Sequence, residues 1–532
     1  MKATDLLAHG YFAKQLPIGF NIGAWGNSVA KKALPLPGKY PECPLLTHVV
    51  NRPGQLPRVL GIPHPYHFHT LAEIVEANWT ALRHIWSKSS ISLSIPRIGE
   101  RAKGERACEP TEGWRSQPER ALERRQGRKV MLKADISQCY PSVYTHAVSW
   151  AIQGKAAAVL ASKSKGGPIH FADQLDKAIR DGQERQSVGL PIGPDTSFLI
   201  TETILSTVDE ILQSRIANLQ GTRVVDDYEL YFDNTAQAEQ AKIVLAEALA
   251  TYKLLLNRSK TRVVELPVPL EPSWKRELSA FRFGGNARWA KKQVRAATDL
   301  CYRQRQSDPD SRSITYLLTM FASCKFHADV WPLIQTTALA SMEFEENSIP
   351  RAARLFFNAA AKGWPVDKSN LGLVLNRLVI KHNALRFGNA VAWSLSIMIH
   401  LDIPIAAEAI SSSIATDDAV VLTVLAHAKS KGLAKEFKIN ATAKLYLSTS
   451  CWCESQWLFL YECVRHGWLG ASTGAKVEAS LKAEPYMSAL NKRGVSFYEE
   501  TASWNSASKE KAQATFSKDA HAFSQIELIS EY

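Results

Sequence analysis

Long apolar runs are missing from this chain. No uninterrupted stretch approaches the ~18 apolar residues a helix needs to cross a bilayer, so no membrane partner is expected. A basic N-terminal region followed by an apolar core and a small-residue cleavage site is also lacking, which favours a cytoplasmic protein over a secreted one. Cysteine is sparse and scattered: Cys43, Cys108, Cys139, Cys301, Cys324, Cys451, Cys453 and Cys463. That spread excludes a small disulfide framework and suits a reducing compartment. Cys451, Cys453, Cys463 and His466 lie close in sequence, but C-x-C is not the usual C-x2-C zinc clip. Trp452, Trp457, Leu458 and Leu460 make the segment read as a buried helix, so core packing is the expected role.

Acidic residues are outnumbered. Lys+Arg 64 against Asp+Glu 51 leaves a net charge of +13. A basic chain favours polyanionic partners, because each neutralised phosphate releases counterions. Hydrophobic residues at 45% and charged residues at 22% are ordinary for a globular protein with a sizeable core.

The acids that are present fall into a pattern. Residues 130–136 alternate as a strand, with Val130, Leu132, Ala134 and Ile136 on one side and Met131, Lys133 and Asp135 on the other. Further on, residues 222–232 suit a hairpin with Asp226-Asp227 at its turn. Asp tolerates turn dihedrals, and Val224, Val225, Leu230, Tyr231 and Phe232 favour strands. One aspartate ending a strand and a pair at a hairpin tip can hold two divalent cations, which stabilise the attacking and leaving oxygens of phosphoryl transfer. Between them runs Gly189-Leu190-Pro191-Ile192-Gly193-Pro194, a small-residue loop that lets backbone approach a ligand. A helix over about 143–160, another from Asp195 to Leu212, and one capped by Asn234 or Thr235 complete a strand, helix, helix, hairpin, helix, strand order. The strand after Asn257-Arg258-Ser259-Lys260-Thr261 closes it.

In that order, these segments resemble the A, B, C and D motifs of reverse transcriptases, over roughly residues 65–290. They most resemble the bacterial defence-associated branch that includes the abortive-infection enzymes. The resemblance implies an α+β fold, with fingers and palm followed by an all-α helical-repeat region in place of a normal thumb. It implies catalytic and metal-binding roles for Asp135, Asp226 and Asp227, with the Ile136 backbone carbonyl as a further metal ligand. The ions would be two Mg2+, or Mn2+. Tyr140 would stack under the sugar and select dNTPs over NTPs. Gly193 would lie against the nucleotide, Lys260 would protonate the leaving pyrophosphate, and Arg101, Lys103, Arg106 and, ranked lower, Lys133 would bind the triphosphate. Two positions depart from the usual pattern. Val224 replaces an aromatic that contacts the primer terminus, and Ile192 replaces a glutamine, as in the defence-associated branch. The partners implied are dNTPs, a DNA product, a noncoding RNA, DNA covalently attached to a priming hydroxyl such as that of Tyr532, and further copies of the chain in a homo-oligomer. The implied location is the bacterial cytoplasm. The competing reading is a catalytically silent nucleic-acid-binding regulator or phage sensor.

The expected organisation is an irregular Gly- and Pro-rich arm at 1–64, a fingers-like region at 65–129, a palm at 130–290 and a helical repeat-like region at 291–532. Helical periodicity runs from about Thr70 to Trp86, with Leu71, Ile74, Val75, Trp79, Leu82 and Ile85 near one face. The arginine-dense stretch 100–128 reads as a basic loop or hairpin. After residue 290 strand patterns vanish. Helix-sized apolar patterns follow at 313–324, 330–342, 351–362, 371–386, 389–400, 405–413, 418–430, 440–448 and 455–466, without a strict period. The last thirty residues read as a loose polar tail.

Overall fold

A computed structural model describes residues 1–502 apart from 35, 37, 53–54, 101–105 and 164–168. Eight strands occur among these residues: β1 (Leu46–Arg52), β2 (Gln55–Ile62), β3 (Pro96–Ile98), β4 (Cys108–Pro110), β5 (Val130–Asp135), β6 (Gln220–Val224), β7 (Asp227–Phe232) and β8 (Arg262–Glu265). β1 pairs with β2 and β3 with β4, each as an antiparallel hairpin. The other four form one antiparallel sheet in the order β6-β7-β5-β8. The fold is α+β, as the sequence pattern requires.

The alternation in β5 sorts its side chains between two layers. Val130, Leu132 and Ala134 join the main apolar core, where the Thr235–Thr251 helix packs on β5 and β7. Met131 faces the other way and forms a small second cluster with Tyr231 and Ala121, under the Gln117–Arg124 helix. Behind the sheet the Asp195–Arg215 helix is buried nearly all round, with Leu199, Ile200, Ile204, Leu205, Val208 and Leu212 in the core. A helix buried on every side runs through the centre of a fold. Asn234 caps the Thr235–Thr251 helix, its side chain accepting from the Gln237 N–H at 3.0 Å.

Three segments differ from the periodicity reading. The helix expected over 143–160 is two, His146–Gln153 and Lys155–Lys163, broken at Gly154, whose φ of +85° no helix accommodates. The stretch 70–86 is likewise two helices, Pro65–Ala77 and Trp79–Trp86, meeting at Asn78.

The third difference is larger. Residues 1–64, expected to be an irregular arm, contain the helices Ala3–His9 and Gly23–Lys31 and the β1–β2 hairpin. Leu6, Leu7, Tyr11 and Trp25 are fully buried. Tyr11 packs its ring edge-on against Trp25 and Phe68 and donates its hydroxyl to the Pro63 carbonyl at 2.6 Å. The far end of the chain closes over the same segment: the Trp393 indole donates to the Gln15 carbonyl at 2.7 Å, and Glu499 N–H to the Gly19 carbonyl at 2.7 Å. Glycine and proline interrupt the apolar positions here, so no 3.6-residue period shows, yet the groups still bury together.

Beyond residue 290 every expected helix is present, from Ser313–Ser323 to Trp457–Arg465, with Ala471–Ala483 and Pro485–Lys492 in addition. Alternate helices touch along the series: 313–323 with 349–361, 349–361 with 388–400, and 388–400 with 419–430. This is the stacking of a helical solenoid, in which each unit buries its apolar face on its neighbours. Among the described residues no helix is long and apolar enough to cross a membrane. The expected polar tail, with Tyr532, lies outside the described residues.

Candidate active site

Sheet register brings the motif acids together. Asp135, the last residue of β5, stands opposite Asp227, the first of β7. The β6–β7 turn is Val225-Asp226, because Val224 pairs with Asp227. The aspartate pair therefore straddles the end of the turn, with Asp226 inside it and Asp227 already on the strand. The Ile136 N–H reaches the Asp226 carbonyl at 3.3 Å, so the A and C segments touch through their backbones as well.

The segment after the Thr235–Thr251 helix closes a third side. Ile136 bridges to Leu256, Ser137 N–H donates to the Leu255 carbonyl at 2.8 Å, and Asn257 N–H to the Asp135 carbonyl at 2.7 Å. The Asn257 side chain accepts from Ser259 N–H and Oγ, shaping the turn that carries Lys260. The Lys260 ammonium then lies 3.0 Å from Asp135 Oδ2, with half of its side chain open to solvent. A cation thus already rests against the carboxylate expected to bind metal.

The donor set suits a hard divalent ion, since carboxylate and carbonyl oxygens are what Mg2+ and Mn2+ prefer. The Lys260 contact shows that positive charge is accommodated at this position. Among the described residues no three His, Cys, Asp or Glu side chains are drawn tightly enough to form a ready-made metal cluster. Of the cysteine and histidine group near the C-terminus, Cys463 is fully buried, Cys451 Sγ lies 3.7 Å from Ser480 Oγ, and His466 bonds the Tyr498 carbonyl.

The B segment packs directly on A. Leu190 N–H donates to the Tyr140 carbonyl at 2.9 Å and Gly189 N–H to the Val143 carbonyl at 2.8 Å. Tyr140 is buried; that burial, reinforced by the negative charge of Asp226 and Glu202, pushes its phenol well above the usual range. It is a neutral aromatic wall beside the acids.

Three expected nucleotide contacts are used otherwise. Arg106 does not face open space: Nε pairs with Asp195 at 2.5 Å, Nη1 donates to the Phe12 carbonyl at 2.7 Å, and Nη2 to the Gly193 carbonyl at 2.7 Å. It ties the B loop to the N-terminal segment. Gly193, at φ +133°, has Ala13 against it, and an added Cβ would sit 3.0 Å from the Ala13 Cβ. Lys133 faces Glu229 across the strands at 3.6 Å, on the side of the Gln117–Arg124 helix. Arg101 and Lys103 lie outside the described residues. The hairpin of 46–62 also reaches this loop: Gly61 N–H donates to the Ile192 carbonyl at 3.0 Å.

Sequence reading overlooked the group behind the turn. Arg223 is completely buried among Glu202 and Asp209 of the Asp195–Arg215 helix, themselves completely buried. Burial works against its charge, but the two carboxylates outweigh that and hold the guanidinium well above its ordinary range. A signal existed: Glu202 and Asp209, seven positions apart, share one face of a helix whose Leu199, Ile204, Leu205 and Val208 mark it as buried, and two buried acids call for a cation.

Residues 75–317 match the family model described as reverse transcriptase (RNA-dependent DNA polymerase). The match takes in β3 to β8, so a reverse transcriptase domain, the domain type of RNA-directed DNA polymerases, is present. Domains of this type generally use divalent metal ions, usually Mg2+. No curated protein matches the chain in sequence. Among solved structures, an apo telomerase from Candida tropicalis truncated from the C-terminal domain aligns at 14% identity with a TM-score of 0.32. That alignment covers 46% of this chain and 54% of the other, so this chain spans about half that relative's length. The apo telomerase from Candida tropicalis aligns at 11% identity and TM-score 0.33, covering 75% and 73%. Likeness at this level carries no functional argument.

Proposed function

We propose that the chain is a DNA polymerase of the antiviral defence kind, joining dNTPs with divalent metal, either on an RNA template or without one from a protein hydroxyl. The observation that carries the reading is the register pairing of Asp135 with Asp227 across β5 and β7, with Asp226 in the adjoining turn. Asp135, Asp226 and the Ile136 carbonyl would hold two Mg2+ ions, with Asp227 sharing or supporting the second. When bound, the metal supplies neutralisation of the charge that develops on the phosphoryl oxygens. The protein's own part is positioning. Tyr140 walls the sugar side, the Gly189–Pro194 loop backs the nucleotide, and Lys260, released from Asp135, carries a proton within reach of the leaving pyrophosphate.

Nucleic acid as a partner is supported by the helix Ala287–Ser307, which follows the sheet. Arg288, Lys292, Arg295 and Arg303 are all exposed and recur at helical spacing, with Trp289 exposed beside them. Phosphate backbones suit such a stripe, and an aromatic adds stacking. The defence role rests on Ile192 in the B segment and on the helical solenoid where a thumb is usual. Homo-oligomeric assembly in the bacterial cytoplasm and covalent priming belong to the same reading.

A second reading, a silent nucleic-acid binder or phage sensor, draws on Lys260 neutralising Asp135 and on Val224 and Ile192 at motif positions. The test is dNTP incorporation by purified chain, with the nucleic acid it carries sequenced. Asp226→Asn with Asp227→Asn should abolish metal-dependent incorporation while the thermal midpoint holds. Equal incorporation by that double variant overturns the polymerase. Identical bound RNA in both forms with no new DNA favours the binder.

A further inference from the structure

Asp226 follows a residue in an unfavourable conformation. Val225 has φ of +52°, a left-handed value that crowds a β-branched side chain, so neighbouring groups must hold it there. Two contacts do so. The Val225 carbonyl accepts from Arg223 Nη1 at 3.0 Å, and the Val225 N–H donates to Ser94 Oγ at 2.9 Å. Both groups are themselves anchored. All five N–H groups of Arg223 face oxygens: Nε meets Asp209, Nη1 meets Glu202 and Val225, and Nη2 meets Glu202 and Asp209, all within 3.0 Å. Those carboxylates are fixed in turn by Ser92 Oγ on Glu202 at 2.6 Å, and by Ser89 Oγ at 2.6 Å and the Tyr228 hydroxyl at 3.0 Å on Asp209. The backbone repeats the linkage, Leu93 N–H donating to the Arg223 carbonyl at 2.8 Å and Arg223 N–H to the Ile91 carbonyl at 2.7 Å.

We infer that Arg223 and Ser94 are positioning residues that clamp the Val225–Asp226 turn in its left-handed conformation, holding Asp226 beside Asp135 for a divalent cation. The inference rests on the polymerase reading above. It assigns a purpose to a fully buried Arg–Glu–Asp group that packing alone would replace with apolar side chains at no loss. It also links three elements to one turn: the Ser89–Ser94 segment leading into β3, the Asp195–Arg215 helix, and β6.

The experiment compares the full-length chain with Ser94→Ala, Val225→Gly and Arg223→Lys. Three quantities are read: thermal midpoint, Mn2+ binding by electron paramagnetic resonance without nucleotide, and kcat and KM for dNTP. Glycine accepts the left-handed φ without strain but gives up the Val225 side chain, which is buried in the main core, so Val225→Gly should leave a folded chain with a lowered midpoint. It should also weaken Mn2+ binding about tenfold and lower kcat about 10- to 100-fold with KM little changed, because the turn is no longer confined. Ser94→Ala should move the same way by less. Arg223→Lys keeps the charge and loses the fork, so it should retain partial stability without restoring Mn2+ affinity. If it fails to fold, the other two variants decide. Wild-type Mn2+ affinity and kcat in both Val225→Gly and Ser94→Ala overturn the clamp and leave the polymerase standing. A wild-type chain that neither binds Mn2+ nor incorporates dNTP overturns both.

Discussion

Around the Val225–Asp226 turn, buried charge is concentrated and mutually paired: Arg223, Glu202 and Asp209 share one network, all without solvent contact. In the helical half, buried ionisable groups are more dispersed, some alone and some in pairs, as where the fully buried Glu462 meets His466 at 3.0 Å. His382 is fully buried with neither ring nitrogen hydrogen-bonded, and His427 has its Nδ1 against the Tyr498 hydroxyl at 2.9 Å. Its helices otherwise pack Leu, Ala, Val and Ile. The difference teaches what each half is built to resist. A solenoid needs only apolar contact between neighbours, which tolerates local adjustment. A turn that must keep one carboxylate in place needs directional bonds, and charge-assisted bonds in a dry site are the stiffest available.

The sharpest way to break that contrast is to empty one half at a time. Arg223→Met should cost about 3–5 kcal/mol, since it strands two buried carboxylates. Leu395→Ala, in the fully buried Gly388–His400 helix, should cost about 2–5 kcal/mol through its cavity. Urea unfolding measures both. Among molecules that remain folded, the metal concentration for half-maximal incorporation should rise only for Arg223→Met. An equal rise for Leu395→Ala would erase the distinction.

Removing the cation at Asp135 probes the other side of the site. Lys260→Ala should lower kcat about 100-fold with stability intact, as expected for loss of a general acid. A rise in rate would instead mark Lys260 as an inhibitory counter-ion.

Acid should cost stability wherever an imidazole is buried, at His382 and His427 in the helical half as well as at His69 near the N-terminus. Burial depresses His382 and His427 to about 4, far below their usual 6.5. Unfolding exposes sites that bind protons more readily, so the stability they support is present above pH 6.5 and is lost as pH falls toward 4. At pH 5 the loss is about 2 kcal/mol for each. Denaturant melts at pH 7.5 and pH 5 should show it, and His427→Gln should remove one share of the difference. A melt unaffected by pH contradicts the assignment.

The smallest effect lies on the surface. Replacing Arg288, Lys292 and Arg295 with Gln should flatten the dependence of log affinity for duplex on log salt by about 2–3. It should leave folding unchanged.

Much of this was legible from residue order. The alternation of Val130 to Ile136 foretold both strand and facing, and Asn234 foretold its cap. The helices beyond residue 290 followed from their apolar spacing, because a solenoid's periodicity is local. What stayed hidden depends on contacts between distant segments. Nothing local in Leu6, Tyr11 or Trp25 reveals that the chain's other end will cover them. Arg106 reads as a solvent-facing base until Asp195, from another motif, is brought to it. The turn was misjudged by one residue, because Asp at a tip is favourable in either register and only the Val224–Asp227 pairing decides. Arg223 stood in plain view within the C motif, but its role appears only when Glu202 and Asp209 are read as one helix face.

The most direct test of the account is incorporation of labelled dNTP into acid-insoluble product by the purified chain across a Mg2+ titration, beside Asp135→Asn. We predict product that requires metal in the wild type and falls at least about 1,000-fold in the variant, whose fold survives. Product that is indifferent to Mg2+, or undiminished in Asp135→Asn, would contradict it.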